Sequence, residues 1–281
     1  MIIIADSGAT KTDWRVIDKG IVIDELQTIG FNPYFVSSEE IKDALEKELF
    51  PFFDNKTVEK VFFYGAGCSC EQKGSIVSNA LEDFFQNARI YIEHDLLGAA
   101  RALCGKEKGI ACILGTGSNS CLYDGTDVVE NVPSLGYFFG DEGSGAHIGR
   151  IFIKAVLKNE LPAEVKSAFD AKFGLSFEKI LDTIYKKPMP SRFLASFAEF
   201  IGQNINQPYL QDIIRNCFRD FFDNQLTKYT GYKEVPVHFL GSIAFNFSSL
   251  LNEVSSEYGI SLNKIVKSPI AGLVEYHKSD E

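Results

Sequence analysis

Two stretches of this chain share one local plan. An apolar run over residues 2–7 ends in the small, hydroxyl-rich turn Ser7-Gly8-Ala9-Thr10-Lys11-Thr12 and resumes over residues 12–17, where Trp14 and Val16 alternate with Asp13 and Arg15. Residues 109–114 repeat the plan, running into Gly115-Thr116-Gly117-Ser118-Asn119-Ser120 before Cys121 and Leu122 begin another strand. Period-two alternation marks a strand half-buried on one face, so each stretch reads as strand, glycine turn, strand. Aligning Gly8 with Gly117 sets the turns 109 residues apart, the mark of a duplicated domain. A chain of 281 residues is long enough for two such domains with separate cores. Their expected extents are 1–107 and 108–281.

In the first half, residues 20–26 supply a third strand after the Asp18-Lys19-Gly20 turn. A capping box of Ser37 and Glu40 opens a helix through Ile41, Ala44, Leu45, Glu48 and Leu49. Residues 60–64 and 89–93 read as strands, 75–85 and 96–103 as helices, giving the order βββαβαβα. The second half carries a helical insertion at about 143–229, where Ile151/Ala155, Phe193/Phe197/Ile201 and Ile213/Phe218/Phe221 recur at helical intervals. A strand at 237–240, the Gly241-Ser242 turn, a helix, a strand near 264–266 and a closing helix from about Pro269 follow; that last helix has the option of returning to the first domain. The expected class is α/β.

Composition narrows the functions. A hydrophobic fraction of 45% with 23% charged residues excludes disorder, and no window approaches the ~20 apolar residues of a membrane helix. A net charge of -10, with no Lys/Arg cluster to offset it, argues against a nucleic-acid partner. The start, Met1-Ile2-Ile3-Ile4-Ala5, reaches Asp6 too soon for a secretory signal, so a cytoplasmic protein is expected. Cys68, Cys70, Cys104, Cys112, Cys121 and Cys217 include no C-x-x-C pair and read as reduced thiols. Cys68 and Cys70 are weak metal candidates, because His94, His147, His238 and His277 offer no second ligand pair at zinc spacing.

Turns made of Gly, Ala, Ser and Thr expose backbone N–H groups without Cβ bulk and suit an anionic phosphate. Neither is a Walker loop, since the glycines lie between strands, and each by itself is equally a tight hairpin. The surrounding polar clusters change that balance. Asp6 and Thr10 flank the first turn, Asp95 follows a strand, Asp141-Glu142-Gly143-Ser144-Gly145 makes an acidic glycine turn, and Gly241-Ser242 follows the late strand. Open α/β sheets place ligands at such strand ends.

Through DSGATKTDW (6–14), EHDLLGAARAL (93–103), LGTGSNS (114–120), GDEGSGAHIGR (140–150) and FLGSIAFNF (239–247), in that order across nearly the whole chain, the sequence resembles the actin, sugar kinase and Hsp70 superfamily. More narrowly it resembles the N-acetylglucosamine kinase branch, grouped with the BadF/BadG/BcrA/BcrD-type ATPases. The resemblance implies two duplicated ribonuclease H-like (βββαβαβα) domains, the second with a helical insertion, and a nucleotide cleft between them. It implies ATP and Mg²⁺ as cofactors and no membrane or nucleic-acid partner; a homodimer is left open. Gly8, Ala9, Thr10, Lys11, Gly115, Thr116 and Gly117 would meet the phosphates, Gly241 and Ser242 the adenosine, and Asp6 would hold Mg²⁺ through its waters. Asp95 would be the catalytic base and touch the sugar together with Asn32, Ser118, Asn119, Gly136 and Asp141. Plainer readings stand beside these: an N-cap for Asp95, a pre-proline turn for Asn32, a solvated turn for Asp141, and a strand-to-helix turn for Gly241-Ser242.

The implied activity is transfer of the γ-phosphoryl group of ATP to a hydroxyl, O6, of an amino sugar, with N-acetylglucosamine first. N-acetylmuramic acid and glucosamine are alternatives, because Leu135-Gly136-Tyr137 stands where better known sugar kinases carry Trp-Gly-His. A BadF-type activator ATPase of a dehydratase or reductase would need cysteine ligands for an iron-sulfur cluster, and Cys68 and Cys70 are the candidates. Retained Asp6 and Asp95 argue against a non-catalytic sugar sensor. ROK kinases and repressors share the fold, but their cysteine-rich zinc motif is missing.

Overall fold

The first sheet of the computed structural model, which describes residues 1–49 and 55–278, is organised around its first strand. It comprises β1 (Ile2–Ser7), β2 (Lys11–Asp18), β3 (Ile21–Ile29), β4 (Lys60–Gly65) and β5 (Arg89–His94), in the order β3-β2-β1-β4-β5. β1, β2 and β3 form an antiparallel meander, while β4 and β5 run parallel to β1. The second sheet repeats this with β6 (Gly109–Leu114), β7 (Ser118–Tyr123), β8 (Val128–Glu130), β9 (Val237–Leu240) and β10 (Leu262–Val266), in the order β10-β9-β6-β7-β8. β6 is antiparallel to β7, and β9 and β10 are parallel to β6. Both sheets thus have one strand order, and the fold is α/β with two ribonuclease H-like halves. β8 has no signature in the sequence, because Val128-Val129-Glu130 is too short to display a period.

The chain divides into two units. One comprises Met1–Glu107, Asp124–Val128 and the C-terminal segment from Ser268; the other comprises Lys108–Tyr123 and Val129–Lys267.

In the first unit, β2 and β3 are joined by Lys19 and Gly20, both at positive φ (51° and 72°), as a two-residue hairpin of matching twist requires. Trp14 is fully buried, edge-on to Phe31 at 5.8 Å, and its indole N–H donates to Thr28 Oγ1 at 2.9 Å. Helices Ser38–Ala44 and Glu71–Phe84 cover this face, burying Ile41, Val77 and Leu81 against the sheet. The Ser37/Glu40 capping box forms, but the helix loosens into a π-turn over Leu45–Leu49. Helix Glu71–Phe84 begins four residues before the expected start, because its first turn is polar and shows no apolar period. On the opposite face, helix Asp95–Cys104 packs with the C-terminal helix Ile270–His277 over Ile2, Ile4 and Tyr64.

The second unit's core is dominated by phenylalanine. Phe152 on helix Gly145–Leu157 meets Phe169, Phe197 and Phe200 at ring-centroid distances of 5.7, 6.2 and 5.7 Å. Each buried ring contributes about 1.5–3 kcal/mol by removal from water. Among the described residues no helix is long and apolar enough to cross a membrane.

Candidate active site

Strand register organises the polar residues of the first unit. Ser7, Gly65 and His94 lie in one row across the parallel strands β1, β4 and β5. Asp6 precedes that row by one residue and Asp95 follows it by one, at the carboxyl ends where such sheets bind ligands. The turn between β1 and β2 closes through the Gly8 N–H, which donates to Lys11 O at 3.0 Å, and leaves Ala9, Thr10 and Lys11 exposed. Beneath it, Ser7 Oγ lies 2.8 Å from Thr12 Oγ1 and accepts the Phe31 N–H at 2.9 Å, while Thr12 donates to Ile29 O at 2.9 Å. Lys11 pairs with Asp13 at 2.8 Å.

Burial pushes the Asp6 carboxyl up to about 7, helped by the neighbouring charges of Asp13 and Asp95 and opposed by Lys11. Burial also raises Asp95, opposed by the charge of His94 whenever that ring is protonated and by the Leu96 N–H donated to Asp95 Oδ1 at 2.9 Å. The helix begins at Asp95 itself. Its N-cap is His94, whose Nδ1 accepts the Leu97 N–H at 3.1 Å, so the N-cap reading of Asp95 is corrected. Nothing in the sequence singled out His94, because histidine is not a preferred cap.

The donor chemistry around Asp6 suits a hard cation, since a carboxylate raised by burial and by the charges of Asp13 and Asp95 gains from one. Among the described residues no group of three His, Cys, Asp or Glu side chains could hold a metal ion. An ion at Asp6 would draw its remaining oxygens from water and phosphate, as magnesium commonly does.

Asn32 adopts the turn its sequence context suggested. Its Oδ1 accepts the Tyr34 N–H at 3.0 Å and its carbonyl accepts from Phe35 and Val36. Gly67, at φ +85°, lies against it: a Cβ there would be 2.6 Å from Asn32 Oδ1.

In the second unit the turn between β6 and β7 closes with the Gly115 N–H donating to Gly117 O at 3.0 Å. By position after the first strand, Gly8 corresponds to Gly115 and not to Gly117, since each directly follows the last residue of its strand, Ser7 and Leu114. Helix Gly145–Leu157 donates the Gly145 and Ala146 N–H groups to Gly115 O and Thr116 O at 2.9 and 3.0 Å. The carbonyls of this turn are therefore engaged by the helix that the Asp141–Gly145 segment introduces.

Asp141, buried and at φ +53°, accepts the Ser118 N–H on Oδ1 at 3.1 Å, and burial raises its carboxyl. The solvated-turn reading of Asp141 is thereby corrected. Ser118 Oγ and Glu142 Oε2 are buried without a hydrogen-bond partner. Asn119 Oδ1 accepts from the Ser120 N–H and from Asn131 Nδ2, both at 2.9 Å. Gly136, at φ +71°, opens the short helix Gly136–Phe139, whose Tyr137 and Phe138 carbonyls both accept from Arg150 Nη1 at 3.1 Å. Arg150 ends the GDEGSGAHIGR segment, but its partners lie 12 and 13 residues away and only packing reveals them.

A pocket of about 620 Å³ opens beside this turn, lined by Gly115, Thr116, Ser242, Asn246, Glu199 and Lys267. The size suits a small-molecule ligand. Gly241, at φ +117°, borders it: its N–H donates to Val266 O at 2.9 Å, and a Cβ would sit 2.3 Å from Leu114 O.

Comparison with solved structures then decides the family. The crystal structure of a Porphyromonas gingivalis protein, provisionally described as an N-acetylglucosamine kinase, is 42% identical over 100% of this chain and 99% of that one, with a TM-score of 0.95. The chain belongs to the sugar kinases of the actin, sugar kinase and Hsp70 superfamily. Two more distant structures share the fold of this sugar kinase. One, from Chromobacterium violaceum and also provisionally described as an N-acetylglucosamine kinase, is 17% identical over 98% of each chain with a TM-score of 0.73. The other is a ROK family glucokinase from Streptomyces griseus in complex with glucose and AMPPNP, 15% identical over 98% of this chain and 97% of that one, with a TM-score of 0.65. No protein-family model matches the sugar kinase, and no curated protein matches it.

Proposed function

We propose that this sugar kinase transfers the γ-phosphoryl group of ATP to O6 of N-acetylglucosamine, and that it stands in the N-acetylglucosamine kinase branch beside the BadF-type ATPases. The observation that carries the reading is the pairing of Asp6 with Asp95 at the carboxyl ends of β1 and β5, each raised by burial and Asp6 raised further by Asp95. The 42% identity to the Porphyromonas gingivalis protein supports the sugar, and the glucokinase bound to glucose and AMPPNP supports the nucleotide.

In this reading the Gly8–Lys11 and Gly115–Gly117 turns present amides to phosphates, and the pocket beside Ser242 takes the adenosine. Asp141, Ser118, Asn119, Gly136 and Asn32 hold the sugar; the unpartnered Ser118 hydroxyl is a donor or acceptor awaiting one. Mg²⁺ at Asp6, when bound, neutralises phosphate charge. The sugar O6 forms the new bond to phosphorus as the bond to ADP breaks, and the hydroxyl proton passes to Asp95. Catalysis of this kind rests on positioning and electrostatics, and a carboxylate raised by burial is a better proton acceptor than a free one.

Purified protein with Mg-ATP and a panel of N-acetylglucosamine, N-acetylmuramic acid, glucosamine, N-acetylmannosamine and glucose, followed by ADP release, tests the reading. The expected result is the highest kcat/KM with N-acetylglucosamine. Absence of stimulation by every sugar sinks the kinase reading; preference for another sugar sinks only the substrate.

A further inference from the structure

We infer that His94 is a positioning residue for the phosphoryl transfer: by taking the Leu97 N–H of the helix that Asp95 begins, its imidazole keeps the Asp95 carboxylate from being drawn further into the cap than its one bond to the Leu96 N–H. The inference rests on the reading of Asp95 as the catalytic base.

The first turn of any helix leaves N–H groups in need of acceptors, and aspartate is among the side chains best suited to supply one. Here an aspartate stands at the helix start and takes only part of that task. His94 takes the Leu97 N–H on Nδ1 at 3.1 Å, while Asp95 Oδ1 meets the adjacent Leu96 N–H at 2.9 Å. Accepting on Nδ1 requires the neutral ring with its proton on Nε2. The position is imposed by the sheet: His94 is the last residue of β5 and lies level with Gly65 and Ser7, so its backbone is still extended (φ -79°, ψ 155°), the conformation of an N-cap. Asp95, one residue on, is already helical. Remove the imidazole, and the Leu97 N–H loses its acceptor, leaving the Asp95 carboxylate, already bonded to the adjacent Leu96 N–H, to be recruited. Once recruited, it is oriented by its own helix and its oxygens are less available to a sugar hydroxyl.

Two measurements test this on the full chain. The first is a thermal-unfolding cycle without ligands. Asp95→Ala should leave Tm unchanged or raise it in the wild type, where the carboxylate is buried beside Asp6, and should lower it by about 2–4 °C in a His94→Ala background, where Asp95 has become the cap. The second is steady-state kinetics. His94→Ala should lose roughly tenfold in kcat, a part of the 10²–10⁴ that a positioned base contributes, with KM for ATP within twofold. His94→Asn, whose amide oxygen restores the cap acceptor, should recover most of that kcat. Equal Tm shifts for Asp95→Ala in the two backgrounds, or wild-type kcat in His94→Ala, overturns the inference. A wild type that no sugar stimulates overturns the kinase reading instead and leaves the thermal cycle to be judged by itself.

Discussion

A Cβ on Gly30 would lie 2.4 Å from the carbonyl oxygen of Gly8. The chain leaving β3 runs directly beneath the first glycine turn, and the neighbouring Ala9 carbonyl carbon and Thr10 nitrogen would both be 2.6 Å from the same atom. These are backbone atoms, so an added methyl group must move the turn. Gly30→Ala is expected to destabilise the protein by about 1–3 kcal/mol, as overpacking does, and to weaken ATP binding. Chemical denaturation and calorimetric nucleotide titration check both; unchanged affinity would mean the turn does not hold phosphate.

Asp95→Asn preserves shape and removes the proton acceptor. Turnover should fall by about 10²–10⁴ while ATP binding persists. A coupled ADP assay beside equilibrium nucleotide binding separates the two, and full turnover in the variant would refute the role given to Asp95.

The Asp6 carboxyl titrates near 7 in the ligand-free protein, far above its ordinary 3.8. In the window between, the folded state keeps a proton that the unfolded chain has released, so stability falls as pH rises from about 4 to about 7. Asp6→Asn should flatten this dependence and raise Tm at pH 8 in ligand-free protein. A cation favours the ionised form, so Mg-nucleotide affinity should increase from pH 6 to pH 8 in the wild type and stay level in Asp6→Asn. Thermal scans and titrations across this range provide the check.

Arg150 fastens the Tyr137 and Phe138 carbonyls and lowers the neighbouring Asp141 carboxyl against its burial. Arg150→Ala removes charge-assisted bonds worth about 1.5–3 kcal/mol each. The expected outcome is a sugar KM raised about tenfold with ATP KM little changed. A change confined to ATP would assign the segment to the nucleotide instead.

The sequence alone carried the duplicated strand, glycine turn and strand, most of the βββαβαβα order, and the acidic residues that end the strands. Those features are local: period-two burial, capping boxes and the steric freedom of glycine act within a few residues, and so they are written in neighbouring letters. Tertiary structure decided what depends on distant segments meeting. It matched Gly8 to Gly115, because strand ends and not motif letters set the equivalence. It gave the helix cap to His94, because the register of β5 against β4 and β1 keeps that residue extended for one position longer. It made Gly30 obligatory through a turn 22 residues earlier, and it brought Arg150 back to carbonyls a dozen residues before it. Each follows from how closely backbones approach once the sheet and its helices pack, and no local pattern encodes that distance.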